Sequence, residues 1–232
     1  MKTKSKINFP VLYFVLPFMG VYLVFQIYPL FQAVQASLFQ WDLLTSSMSY
    51  YGFQNYINMF TDPTFWSSLI NTIEFVIYST PLLIGVGLLF ALLLNGTGSQ
   101  KVVFRTAFFA PYVFSVAIAT LIWGFMFNPQ KGLLGEFARM LEAQPINWLT
   151  DPMFAMPAII ITTLWWTVGF NILLFLAGLQ DIDPSLYEAS SLDGASWYQD
   201  FFYITIPSLK RTLVLVTILQ VIMSFQIFGQ VY

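Results

Sequence analysis

The chain of 232 residues contains no cysteine and no histidine. Without thiols there are no disulfides and no thiolate metal ligands, and without imidazole neither a Ser-His nor a Cys-His nucleophile can be assembled. Charge is also scarce. Asp, Glu, Lys and Arg make up 9% of the residues and the formal charge is −2, which excludes the basic footprint of a nucleic-acid-binding protein. No G-x-x-x-x-G-K occurs, and Gly96-x-Gly98 is too short for a dinucleotide fingerprint and has no strand before it. The sequence therefore carries no metal site, no nucleotide site and no cluster of acids and bases that would make it an enzyme.

What the chain has in excess is apolar surface, with 58% hydrophobic and 19% aromatic residues, and this places it in the membrane class. Five apolar runs are visible, at about residues 9–31, 69–94, 102–127, 153–179 and 213–228, the last short enough that its start is expected near Pro207. The predicted fold is all-α, a polytopic membrane helix bundle. The basic tip Lys2, Lys4 and Lys6 before the first run resembles a secretory signal, but the run is too long and no A-x-A site closes it, so it reads as a span. Pro17 and Gly20 are tolerable inside it. Residues 32–67, with Tyr50, Tyr51, Tyr56 and Trp66, and residues 128–151 read as outer loops with interfacial anchors, and Arg105 as a snorkelling residue near the end of the third run. With the N-terminus in the cytoplasm, the inner segments hold Lys2, Lys4, Lys6, Lys101, Arg105, Lys210 and Arg211, against Lys131 and Arg139 outside. That asymmetry obeys the positive-inside rule and predicts a multi-pass protein of the cell membrane with a cytoplasmic N-terminus.

Between the fourth and fifth runs lies a polar island, residues 187–207, which with the two residues Asp181 and Asp183 just before it holds five carboxylates: Asp181, Asp183, Glu188, Asp193 and Asp200. Asp183-Pro184 is a helix start, and Ser185 with Glu188 offers an alternative capping box. A first helix is predicted to about Leu192, Gly194 to stop it, and a second helix to run over residues 195–203 until Pro207 interrupts the ladder. The plainest reading is an amphipathic connection lying on lipid headgroups. The alternative is a docking element on the cytoplasmic face.

The spacing Glu188-Ala189, three residues, Gly194, nine residues, Ile204-Thr205-Ile206-Pro207 resembles the E-A-A loop of the membrane subunits of binding-protein-dependent ABC importers. Ser190 replaces the second alanine and Ile206 the leucine of that pattern. Gly52-Phe53-Gln54-Asn55-Tyr56, Phe65-Trp66 with Asn71-Thr72, Arg105 with Pro111, residues 123–127, Trp165 with Gly169, and Ala177-Gly178-Leu179-Gln180 extend the resemblance to the carbohydrate-importing branch, which includes the maltose-transporter membrane subunits. The resemblance implies a single transmembrane domain over residues 1–232 with a coupling loop at 181–209. It also implies a second, similar permease as partner, two cytoplasmic ATPase subunits that carry the ATP and Mg, and an extracellular solute-binding protein. Glu188, Ala189, Asp193, Gly194, Ile204 and Pro207 would dock and couple the ATPase. Family members continue through an external loop and a sixth span, so the resemblance leads to the expectation of a C-terminally truncated chain ending at residues 226–232.

Polar side chains recur at helical spacing within the runs: Thr163, Thr167 and Asn171 in the fourth, Thr217, Gln220 and Ser224 in the fifth, and Asn71, Glu74 and Tyr78 in the second. With Trp165, Trp166 and Phe225 nearby they suit a sugar, which offers hydroxyls to hydrogen-bond and flat faces to stack. They would equally serve as hydrogen bonds between helices. The functional reading is a permease subunit of an ATP-driven sugar importer. The alternative is a self-sufficient secondary transporter or channel in which the polar stripes and Glu74 couple solute to an ion.

Overall fold

A computed structural model describes residues 9–42, 47–96 and 98–227, so Lys2, Lys4, Lys6 and residues 228–232 of the expected ending lie outside the described residues. The chain divides into two compact units, Met1–Leu69 and Ile70–Tyr232.

In the first unit, α1 (Phe9–Tyr22) passes through a π-helical turn, Leu23–Ile27, into α2 (Tyr28–Ala36). The run from Tyr13 to Ala36 is long and apolar enough to cross a membrane. It ends later than the hydropathy alone indicates, because Gln32 and Gln35 fit into the helix and Gln32 Nε2 donates to the Tyr28 hydroxyl at 3.0 Å. The predicted loop that follows is largely structured. Strands β1 (Phe39–Asp42) and β2 (Ser47–Tyr50) pair antiparallel with Phe39 opposite Tyr50, and α3 (Gln54–Thr61) follows. Gly52, at φ +60°, makes the left-handed turn that brings α3 back to the hairpin. Asn55 then donates to the carbonyls of Ser37 (2.8 Å) and Phe39 (3.0 Å), and Tyr56 shares a 2.7 Å hydrogen bond with the Ser37 hydroxyl. The Gly-Phe-Gln-Asn-Tyr stretch is thus a clasp.

Helix α4 (Pro63–Leu94) runs into the second unit, which continues with α5 (Ser99–Phe109), a 3-10 turn (Ala110–Val113), α6 (Val116–Met126), α7 (Leu133–Met140) and α8 (Pro152–Gln180). The third run is not one straight helix: Ser99–Val113 and Val116–Met126 meet at 101°. Pro111 tightens the backbone, Phe114 is extended, and the Ser115 hydroxyl caps α6 by accepting from Ile118 N–H. Arg105 does not merely snorkel. It donates to the carbonyls of Leu94 (2.6 Å) and Gly96 (2.9 Å), capping the C-terminal end of α4 with the charge sign that a helix C-terminus favours.

The core is centred on α8, whose Val168, Ile172, Phe175, Leu176 and Leu179 pack with Leu83, Ala91, Leu209 and Val216. Close approach is made possible by glycines. A Cβ on Gly169 would collide with the Phe108 carbonyl, one on Gly87 would stand 2.9 Å from Asn171 Cβ, and one on Gly178 would stand 2.9 Å from Leu209 Cδ2. After α8 come α9 (Pro184–Leu192), α10 (Trp197–Gln199), a π-helical turn (Asp200–Thr205), α11 (Ile206–Ser208) and α12 (Lys210–Phe225). Among the described residues three helices are long and apolar enough to span alone, and five spans result if each bent pair is one.

Candidate functional site

The polar island is built as helix, left-handed stop, helix. Asp183 caps α9 by accepting from Ser185 N–H at 2.9 Å, so the alternative box at Ser185 and Glu188 is not used. That backbone N–H, with the Ser185 side chain, holds the Asp183 pKa below its ordinary value. Gly194, at φ +74°, closes a Schellman motif: Ala195 N–H donates to the Ser190 carbonyl (3.0 Å) and Gly194 N–H to the Ser191 carbonyl (3.2 Å). Ser196 and Gln199 then form a reciprocal capping box. The second helix does not stop at Pro207. Its wider π-helical turn comes just before the proline, and the break falls at Leu209, where Trp197–Ser208 and α12 meet at 66°.

Glu188, Ala189, Asp193, Gly194 and Pro207 are exposed and Ile204 is half-buried. Leu192, 89% exposed, offers an apolar knob beside them. The island is anchored at both ends by Ile182 and Leu209, which are buried in the core with α8. Tyr187 and Thr205, which the sequence reasoning passed over, link the two halves through a 2.9 Å hydroxyl pair, and Thr205 also donates to the Asp200 carbonyl. The Tyr187–Thr205 pair thus ties α9 to the π-helical turn, and Leu209 packs the end of that second half into the core.

Deeper in the second unit lies a polar chain across three helices. Asn171 of α8 donates to Gln220 Oε1 of α12 (3.1 Å) and to the Leu83 carbonyl of α4 (3.4 Å); Gln220 donates to Ser224 Oγ (3.3 Å), which lies 3.5 Å from Ser79 Oγ. All four side chains are buried. Beside them opens a cavity of about 380 Å³ lined by Phe75, Tyr112, Thr163, Trp166, Thr167, Gln220, Met223, Ser224, Gln226 and Ile227. Thr163 and Thr167 donate to the Ile159 and Thr163 carbonyls of their own helix, and the Thr167 oxygen keeps its acceptor capacity. Trp166 is held by a bond from Nε1 to the Phe114 carbonyl, and Tyr112 is stacked on Phe170 at 5.1 Å. Such a wall can accept hydroxyl protons and lie against an apolar face.

Thr163, Thr167, Gln220 and Ser224 are thus brought together, with Asn171 behind them. Thr217 is not: it is exposed and bonded to the Leu213 carbonyl, because the packed face of α12 is Val216, Gln220 and Ser224, four residues apart. Asn71, Glu74 and Tyr78 are exposed as well, since the buried stripe of α4 begins Phe75, Ser79, Leu83. Ser79 was missed. Its signal was the run of small residues on that same stripe, Ser79, Gly87 and Ala91.

A family model described as the binding-protein-dependent transport system inner membrane component matches residues 60–230. The chain belongs to that family. It is a multi-pass membrane component of a binding-protein-dependent transport system. It is 33% identical over 216 residues to the probable ABC transporter permease protein YurN of Bacillus subtilis (strain 168), covering 91% of this chain and 74% of the relative. It is 34% identical to the lactose transport system permease protein LacF of Rhizobium radiobacter and 35% to the trehalose/maltose transport system permease protein MalF of Thermococcus litoralis, in each case over 94% of this chain and 74% of the relative. A crystal structure of a bacterial alginate ABC transporter, in complex with an alginate pentasaccharide-bound periplasmic protein, shares the fold with a TM-score of 0.78 at 22% identity, over 91% of this chain and 70% of its counterpart.

Proposed function

We propose that this permease is a subunit of an ATP-driven importer for a sugar or oligosaccharide, forms half of the translocation path with a second, similar permease, and binds a cytoplasmic ATPase through the island from Glu188 to Pro207. The observation that carries the proposal is the anchoring of that island: an exposed helix with a left-handed stop, held at both ends by side chains buried in the bundle. Two ATPase subunits supply ATP and Mg, a solute-binding protein delivers the substrate to the outer face, and this chain performs no covalent chemistry. Its N-terminus and island lie in the cytoplasm. The relatives named for lactose and for trehalose/maltose, and the Thr, Gln and aromatic lining of the cavity, support a polyhydroxylated substrate.

The test is affinity purification of the chain from its native membranes beside a Glu188→Arg variant, with ATP hydrolysis assayed in both eluates. The expected result is ATPase activity with the parent that rises on adding sugar-loaded binding protein, and loss of that rise in the variant. A parent that is inserted in the membrane yet brings no ATPase, or a variant that couples as well as the parent, overturns the proposal.

A further inference from the structure

The two halves of the island differ in chemistry. The first, with α9, carries the acids Asp181, Asp183, Glu188 and Asp193, all exposed. The second, Trp197–Ser208, presents an outward face of aromatic rings, with Trp197 65%, Tyr198 68%, Phe202 60% and Tyr203 79% exposed, followed at once by the exposed pair Lys210 and Arg211. Between and behind these rings Phe201 and Ile204 are half-buried, Thr205 is buried, and the only acid of this half, Asp200, has one carboxylate oxygen withdrawn from water. The rings are ordered among themselves, Trp197 stacked on Phe201 at 5.6 Å and edge-on to Tyr198 at 5.0 Å.

The axis of Trp197–Ser208 makes 66° with α12. Of this bent pair, which reaches span length only together, we take α12 as the part that crosses the membrane, so that a segment at 66° to it lies closer to the membrane plane than to its normal. Aromatic rings with an apolar body and a polar tip concentrate at the headgroup level, and Lys or Arg beside them reaches lipid phosphate. We infer that Trp197–Ser208 is an interfacial helix whose aromatic face rests in the headgroup layer of the bilayer, with anionic lipid phosphate held at Lys210 and Arg211. The charge segregation selects this occupant: the acidic half is repelled by an anionic surface and turns to water, and the aromatic and basic half meets it. The lipid then sets the height at which α9 is presented and resists rotation of the hinge at Leu209. This inference rests on α12 spanning the membrane, does not depend on the cargo, and leaves the ATPase contact of the proposed function to the Glu188–Gly194 half of the island.

The experiment uses the full chain in nanodiscs of phosphatidylcholine and phosphatidylglycerol, with the Trp197 emission obtained as the difference between the parent and Trp197→Phe. Lipids brominated near the headgroup end of the acyl chain are compared with lipids brominated near its terminus, and with acrylamide in the water. The expected result is stronger quenching of Trp197 by the shallow bromines than by the deep ones, with weak quenching by acrylamide. Brominated phosphatidylglycerol is expected to quench more than brominated phosphatidylcholine at equal mole fraction, by up to about fivefold for each basic residue engaged. That preference disappears in Lys210→Gln with Arg211→Gln. Quenching mainly by acrylamide places the face in water, and quenching by neither places it under protein; either overturns the inference, as does an unchanged lipid preference in the double variant. Tyr203→Trp in the Trp197→Phe background gives a second reporter with the same expected pattern.

Discussion

Replacement of Gly194 isolates the backbone contribution of the island from its packing. No heavy atom lies within 4 Å of a Cβ built on this residue, so alanine meets no steric obstacle and the cost comes from φ +74° alone. Left-handed backbone costs an L-residue about 1–2 kcal/mol, and the loss of chain freedom in the unfolded state returns about 0.4–1 kcal/mol of that. The net cost of Gly194→Ala therefore lies between about 0 and 1.6 kcal/mol, centred on about 0.8 kcal/mol. It falls on the Schellman hydrogen bonds from Ala195 to Ser190 and from Gly194 to Ser191. Asparagine tolerates the same region, so Gly194→Asn is expected to cost less, and valine, branched at Cβ, more. The assay is hydrogen exchange of the peptide covering residues 188–196, followed by mass spectrometry on the full chain in nanodiscs. Protection is expected to fall about two- to tenfold in the alanine variant, in the order Asn, Ala, Val, with the remainder of α8 and α12 unchanged. Alanine exchanging like glycine, or asparagine faring worse than alanine, refutes the reasoning, because either result means that the left-handed stop is not what ends α9.

Asn171→Leu removes the donor that joins Gln220 and the Leu83 carbonyl, leaving a buried amide oxygen unpaired; thermal unfolding in detergent is expected to register a loss of about 1–2 kcal/mol, and Asn171→Leu with Gln220→Leu together less than the sum of the two. Gly169→Val forces α8 away from the Phe108 carbonyl, so the variant is expected to be recovered from membranes in markedly lower yield than Gly124→Ala, at a position where a Cβ meets nothing within 4 Å. The pKa of Asp183 is lowered by its bond to Ser185, so its carboxylate stabilises the start of α9 fully above the ordinary Asp value of about 3.9, and this contribution is lost as the pH falls through the lower folded value. Exchange at the α9 N-terminus is expected to accelerate only at that acid extreme, and Asp183→Ala to abolish the pH dependence.

Much of this molecule is written locally in the chain. Three of the five apolar runs reappear as single helices and two as bent pairs, and the Asp183-Pro184 cap and the glycine stop at 194 reappear too, because hydrophobic length, a capping oxygen and a missing Cβ act over a few residues. The stretch around Gly52 and Asn55 was visible as a pattern, and only the structure reveals it as a clasp on the hairpin. Which face of each helix turns inward was not legible. Period 3.6 identifies stripes, and neighbouring stripes differ by only about 100°, so the choice of Asn71, Glu74 and Tyr78 over Phe75 and Ser79, or of Thr217 over Val216, had no local warrant. In an apolar solvent a hydrophobic side chain gains nothing by turning inward, and the usual signal is lost. Facing is decided instead by the glycines at 87, 169 and 178, which set how closely the helices approach, and by the hydrogen bonds that Asn171 and Gln220 find across them. Composition and local spacing thus determined that this chain is a membrane helix bundle with a capped polar island between its last two apolar runs. The cavity beside Gln220 and the Tyr187–Thr205 link came only with the tertiary structure, because each depends on groups brought together from separate helices.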